Sequence, residues 1–139
     1  MLRNGVAMAT IVASVLLLGA AATPPPVPDD PADPDRAAQY WLDGAGIRDA
    51  WQTTRGDGVT IAVIDTGIGK VPGVFDDAVV GGTDVSGTGT PDGRTPVGAI
   101  DGNHGSWVAS LAAGRGSADG QGMIGVAPEA DLLSISVGF

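Results

Sequence analysis

Histidine occurs once in this 139-residue chain, at His104, just ahead of an apolar stretch with helical spacing. Asp65 closes a β-branched run, Val59-Thr60-Ile61-Ala62-Val63-Ile64. A carboxylate at the carboxyl end of a parallel strand, facing an imidazole on the first turn of a crossover helix, can hold one imidazole tautomer and stabilise the imidazolium. A helix start opposes positive charge, so the carboxylate is what favours protonation when the ring takes a proton. Asp65 therefore reads as the orienting acid and His104 as the general acid/base. There is no cysteine, which excludes a thiol nucleophile, disulfides and thiolate-held metals.

The elements that must position this pair follow from local pattern. Ala37, Ala38, Tyr40 and Trp41, then Ile47, Ala50 and Trp51, recur at spacings of three and four, predicting two short helical turns broken around Gly44 and Gly46. The run Val59 to Ile64 is continuous in its apolarity, as in a strand covered on both faces. Short strands are expected around Ala78-Val79-Val80 and Thr83-Asp84-Val85 in a glycine-rich excursion. A helix should begin near Asn103 or His104, with Trp107, Val108, Leu111 and Ala112 lining one face and Gly114 ending it. Asp101, three residues before His104, is placed to cap that helix or to border the cleft. A last strand is expected from Asp131 to Val137. Strand, helix, strand in this order predicts an α/β fold with a parallel sheet.

Three segments together carry a resemblance. VTIAVIDTGI, HGSWVASLAAG and IGVAPEADLLSISV are similar to the stretches of the subtilisin-like serine proteases (subtilases) that hold the catalytic aspartate, the catalytic histidine and the strand that follows. The match runs from about Trp41 to Phe139. It implies a parallel-sheet subtilisin-like fold with helices on both faces and cleavage of protein or peptide substrates through a serine acyl-enzyme. Asp65 would orient the ring and His104 would be the general acid/base. The order Asp, His, Ser is the subtilisin order. Two departures are visible. Gly69-Lys70-Val71-Pro72-Gly73 replaces the family's histidine-proline segment, and Ser106-Trp107 replaces threonine-histidine, with Trp107 expected to pack. The export-type leader, the proline-rich tether and the tryptophan-containing lead-in resemble the mycosin-like branch, whose members serve type VII secretion in actinobacteria.

The resemblance also requires a later GTS-type serine and an asparagine that donates to the oxyanion. Asn4 and Asn103 are the only asparagines, and Ser86, Ser106, Ser110, Ser117, Ser134 and Ser136 lack the motif. The chain is therefore expected to be the N-terminal portion of a truncated catalytic domain, carrying Asp65 and His104 without the nucleophile. The competing class is an inactive fragment or pseudoprotease that acts as a binding module. An aspartic-protease reading of Asp65-Thr66-Gly67 needs a second such aspartate from a symmetric dimer, and leaves the histidine segment unexplained.

Composition bounds the remaining classes. Sixteen acidic and seven basic side chains give a net charge of −9, which argues against a nucleic-acid partner. Residues 1–22 read as an export signal: Arg3, an apolar run from Val6 to Leu18, then Ala20-Ala21-Ala22. Cleavage after Ala22 is expected and the product is expected to be secreted or extracytoplasmic. The 17 residues from Val6 to Ala22 also reach the lower limit for spanning a bilayer, so the expected membrane contact is through an uncleaved anchor. Residues 23–35, TPPPVPDDPADPD, form a linker of six prolines and four aspartates, and residues 36–139 form the folded portion. Asp76, Asp77, Asp84, Asp92, Asp101 and Asp119 offer oxygen ligands of the kind calcium takes, and subtilases often bind calcium. No spaced ligand loop is visible, so no cofactor is expected to be required.

Overall fold

The computed structural model describes residues 32–75, 77–98, 102–117 and 121–138. The expectations for the leader, for most of the tether, and for Asp76, Asp101 and Asp119 fall outside these residues. Among the described residues no helix is long and apolar enough to cross a membrane.

Three strands form one parallel sheet in the order β1-β3-β2. They are β1 (Thr60–Asp65), β2 (Val79–Asp84) and β3 (Asp131–Ser136). β3, last in sequence, lies in the middle: it pairs Val63 with Ser134 and Asp65 with Ser136 on one side, and Asp84 with Ser136 on the other. The two short strands expected near residues 78–85 are one strand, irregular between Val79 and Gly81. Helix α4 (His104–Ala113) crosses over between β2 and β3 and packs on β1 and β3. α1 (Pro34–Ala38), α2 (Trp41–Gly44) and α3 (Ile47–Ala50) precede the sheet. Regular structure thus begins two residues before the boundary suggested by composition: Asp33 caps α1 by accepting from the Asp35 and Arg36 N–H groups, with Pro34 at the first helical position.

The core lies between α4 and the sheet face that carries Val63 and Leu132. These two residues cluster with Ile68, Phe75, Ala109 and Ala113, all buried. Side chains alternate along a strand, so Ala62 and Ile64 point the other way. Ile64 is 64% exposed and Val80 is 57% exposed. The expectation that β1 is covered on both faces is therefore corrected: among the described residues, its second face meets solvent.

α4 also turns a different face inward than its large residues suggested. Gly105, Ser106, Ala109 and Ala113 are buried, whereas Trp107, Val108 and Leu111 are exposed. Small side chains let the helix lie close to the strands, and close approach decided the orientation over apolar size. Gly114 does end the helix, but in extended conformation (φ −61°, ψ 139°) and not in the left-handed cap that a glycine there suggests. The position calls for glycine because a Cβ would sit 2.6 Å from the Ser110 carbonyl oxygen.

Candidate active site

β1 ends at Asp65 and α4 begins at His104, and the fold brings these two termini together. Nδ1 of His104 lies 2.8 Å from Oδ2 and 3.0 Å from Oδ1 of Asp65. The carboxylate side chain is 13% exposed and the imidazole 56% exposed. Burial pushes the Asp65 carboxyl up, but the Thr66 N–H donor and the hydrogen bond and charge of His104 outweigh it and hold it below the usual carboxylate range. The carboxylate thus stays ionised and engages Nδ1, leaving Nε2 as the ring nitrogen able to exchange a proton with a third group.

Two buried hydroxyls fix this geometry, and sequence reasoning assigned neither a role. Thr66 Oγ1 donates to the Gly102 carbonyl (2.9 Å) and accepts from the Gly105 N–H (2.9 Å), so the residue after Asp65 grips the chain on both sides of His104. This bond satisfies an N–H on the first turn of α4, whose N-cap residue, Asn103, makes no side-chain capping bond. Reciprocally, Ser106 Oγ accepts from the Gly69 N–H (2.9 Å), so α4 grips the turn that follows Asp65. Ser134 Oγ accepts from the Ile68 N–H and donates to the Gly93 carbonyl, anchoring the same turn to β3. The available signal was a hydroxyl one residue after Asp65 and another two residues after His104.

Two glycines make the approach possible. Gly67 has φ +100°, a region L side chains rarely enter, and turns the chain away from the strand end. At Gly105 a Cβ would stand 2.6 Å from the Gly67 carbonyl oxygen, so only glycine lets the helix start rest on that turn.

The other serines are engaged elsewhere. Ser110 donates to the Trp107 carbonyl and Ser136 donates to Asp84. Among the described residues, the side-chain hydrogen bonds of His104 run to Asp65 alone. The described aspartates among those considered for calcium, Asp77, Asp84 and Asp92, are likewise held by protein donors. Asp84 accepts from Ser86, Ser136, Gly87 and Gly89, Asp92 pairs with Thr90 and Lys70, and Asp77 pairs with Arg115. No group of three or more His, Cys, Asp or Glu side chains that could hold a metal occurs among the described residues.

A carboxylate and an imidazole paired at the carboxyl end of a parallel sheet can hold one ring tautomer and exchange a proton at the other ring nitrogen. The family model described as Peptidase_S8, Subtilase family, matches residues 56–139, and the chain belongs to this family. It is similar to Mycosin-1 of Mycobacterium tuberculosis (strain ATCC 25618 / H37Rv), 36% identical over an alignment that covers 94% of this chain and 32% of that protein. Mycosin-3 of the same organism is 44% identical over 62% of this chain and 16% of its own length. Among solved structures, the MycP3 protease from the type VII (ESX-3) secretion system superposes with a TM-score of 0.50 at 38% identity, covering 68% of this chain and 23% of that one. The chain spans about a third or less of the length of the curated relatives named here.

Proposed function

We propose that these residues are the aspartate- and histidine-bearing part of an exported subtilisin-like serine endopeptidase of the mycosin type. The carrying observation is the 2.8 Å contact between His104 Nδ1 and Asp65. In this reading Asp65 holds the tautomer, and His104 Nε2 takes the proton of a serine hydroxyl and returns it to the leaving amine. The serine and the oxyanion donor come from sequence other than these 139 residues. The chemistry is acid–base and nucleophilic and calls for no cofactor. Substrates are proteins or peptides. The leader pattern in residues 1–22 and the likeness to type VII secretion proteases support an extracytoplasmic site of action.

A fluorophosphonate probe tests this reading. The 139-residue chain should show no specific serine labelling, because among the described residues no serine hydroxyl is hydrogen-bonded to the His104 ring. Joined to a subtilase serine-bearing half, it should label and cleave peptides. In that form His104→Ala should lower kcat on the order of 10⁶-fold and Asp65→Ala on the order of 10⁴-fold, the magnitudes measured in subtilisin itself. Specific labelling of the 139-residue chain, or unchanged turnover in His104→Ala, would overturn it.

A further inference from the structure

The segment Gly69-Lys70-Val71-Pro72-Gly73, where the chain departs from the family's histidine-proline pattern, has no part in holding Asp65 or His104 beyond the Gly69 N–H bond to Ser106. It does build a cavity. Lys70, Val71 and Pro72 line a space of about 310 Å³, and Arg94, from the glycine-rich excursion, closes it. That volume lies at the lower end of the roughly 300–1,000 Å³ typical of ligand sites.

Two of these four residues are cations, in a chain whose net charge is −9. Their charges are balanced differently. Lys70 Nζ lies 3.3 Å from Asp92 Oδ2, and the Thr90 hydroxyl and the Arg94 backbone N–H hold the Asp92 carboxyl at about 2, so Lys70 faces an ionised partner. Arg94 donates from Nε to the Ile68 carbonyl (2.8 Å) and from Nη2 to the Gly69 carbonyl (3.1 Å). Among the described residues its side chain makes no ion pair, and Nη1 has no protein acceptor. Burial pulls the Arg94 guanidinium below its usual value, and the charge of Asp92 opposes that pull. The cavity therefore holds one cation more than it holds carboxylates, on a guanidinium whose orientation two carbonyls already fix. A planar donor set held in this way is prepared for a carboxylate.

The cavity also stands close to the Asp65–His104 pair. Gly69, the neighbour of Lys70, donates its N–H to Ser106 Oγ (2.9 Å), and Ser106 follows His104 by two residues. With successive Cα atoms about 3.8 Å apart, Lys70 stands on the order of 10 Å from His104. An extended peptide advances about 3.3 Å per residue, so a side chain roughly three residues from the bond being cut reaches the cavity. Elsewhere an acidic peptide meets a chain of its own sign, which sharpens the contrast at this one place.

We infer that the Lys70–Arg94 cavity is a subsite for an acidic side chain of the substrate peptide, with Arg94 as the residue that binds its carboxylate and Lys70 as a second cation at the edge. The inference rests on the peptidase reading of Asp65 and His104 and adds to it a substrate class, peptides with Asp or Glu near the cleaved bond. Val71 and Pro72 supply the apolar wall against which the side-chain methylenes lie.

Binding to the 139-residue chain tests the subsite without turnover. The probes are two end-blocked alanine hexapeptides that differ only in one glutamate or glutamine, and the readout is the Arg94 Nε–H signal in nuclear magnetic resonance titrations. The glutamate peptide should shift that signal and bind about tenfold more tightly than the glutamine peptide. Arg94→Gln should abolish the difference. That change also frees the Ile68 and Gly69 carbonyls, so Lys70→Gln, at a mostly exposed side chain, is the second variant and should weaken the glutamate peptide about two- to threefold. Equal affinity for the two peptides, an unmoved Arg94 signal, or a difference that survives both substitutions overturns the subsite. So does inorganic phosphate binding as tightly as the glutamate peptide, which would make this a place for any small anion.

Kinetics separate the two readings. In the form joined to a serine-bearing half, fluorophosphonate labelling decides the peptidase reading alone. In labelled preparations, glutamate moved through the three positions on either side of the cleaved bond should raise kcat/KM about tenfold over glutamine at one position, and Arg94→Gln should bring that ratio toward one. A labelled, active preparation indifferent to glutamate at every position sinks the subsite and leaves the peptidase reading standing.

Discussion

The face of the sheet turned toward α4 and the face turned away from it are built from the same three strands by opposite rules. Toward the helix, Val63, Leu132, Ser134 and Ser136 are buried, and each serine hydroxyl there has a specific partner, Ser134 on neighbouring loops and Ser136 on Asp84 at the end of β2. Away from it, Ile64 and Val80 meet solvent. The first face combines apolar packing with polar contacts that have one solution, and Asp65 extends that face to its end. The second offers apolar area with no partner among the described residues. Precision at the Asp65–His104 pair is therefore a property of one side of the sheet, and substitutions on the two sides should have unequal effects.

The largest contrast is expected between Leu132→Ala and Ile64→Ala. The first leaves a cavity at a fully buried position and should cost about 2–5 kcal/mol. The second removes a mostly exposed side chain and should stay within about 0.5 kcal/mol. Urea unfolding of the two variants measures both, and equal losses would mean that the second face is covered in solution. Next is Gly105→Ala. Alanine is the better helix former, yet its Cβ meets the Gly67 carbonyl, so overpacking by about 1–3 kcal/mol should prevail. Thermal melts decide the sign.

Thr66→Val should cost about 1–3 kcal/mol, because the Gly105 N–H is left without its acceptor in a buried place. Thr66→Ser should recover most of that loss. The Nδ1–H proton resonance of the single imidazole should broaden in the valine variant and sharpen in the serine one, which separates positioning of His104 from loss of stability alone.

The smallest effect is on the acid limb of the pH–stability curve. Hydroxyl donors from Ser136 and Ser86 hold the Asp84 carboxyl at about 2. A carboxyl depressed in the folded state contributes stability that is present above its unfolded value, ordinarily about 3.9, and is lost as pH falls through the folded one. Asp84→Asn should therefore flatten the curve between about pH 4 and pH 2 and leave its slope near neutrality unchanged, as denaturant midpoints across pH would show.

Much of the fold was legible because it rests on local pattern. The β-branched run predicted β1 up to Asp65, glycines at 44 and 46 placed the break between α2 and α3, and α4 starts where His104 was expected to open it. The orientation of α4 was not legible from apolarity, because contact distance selected Gly105, Ala109 and Ala113 for the interior and left Trp107 exposed. The hydroxyls of Thr66 and Ser106 escaped notice for a related reason. Each acts on backbone groups of a segment roughly 40 residues away, and periodicity carries no information about such pairings. Asp33, buried where it caps α1 and accepts from the Gly122 N–H, was read as part of an extended linker because composition describes a window and not a partner.

The strand order has a consequence for the timing of assembly. Of the three described strands, β3 is the last to be synthesised and the one with which both others pair, so a nascent polypeptide stopped short of Asp131 holds two ribbons with no ladder between them. Closure must wait for contacts distant in sequence, which slows it.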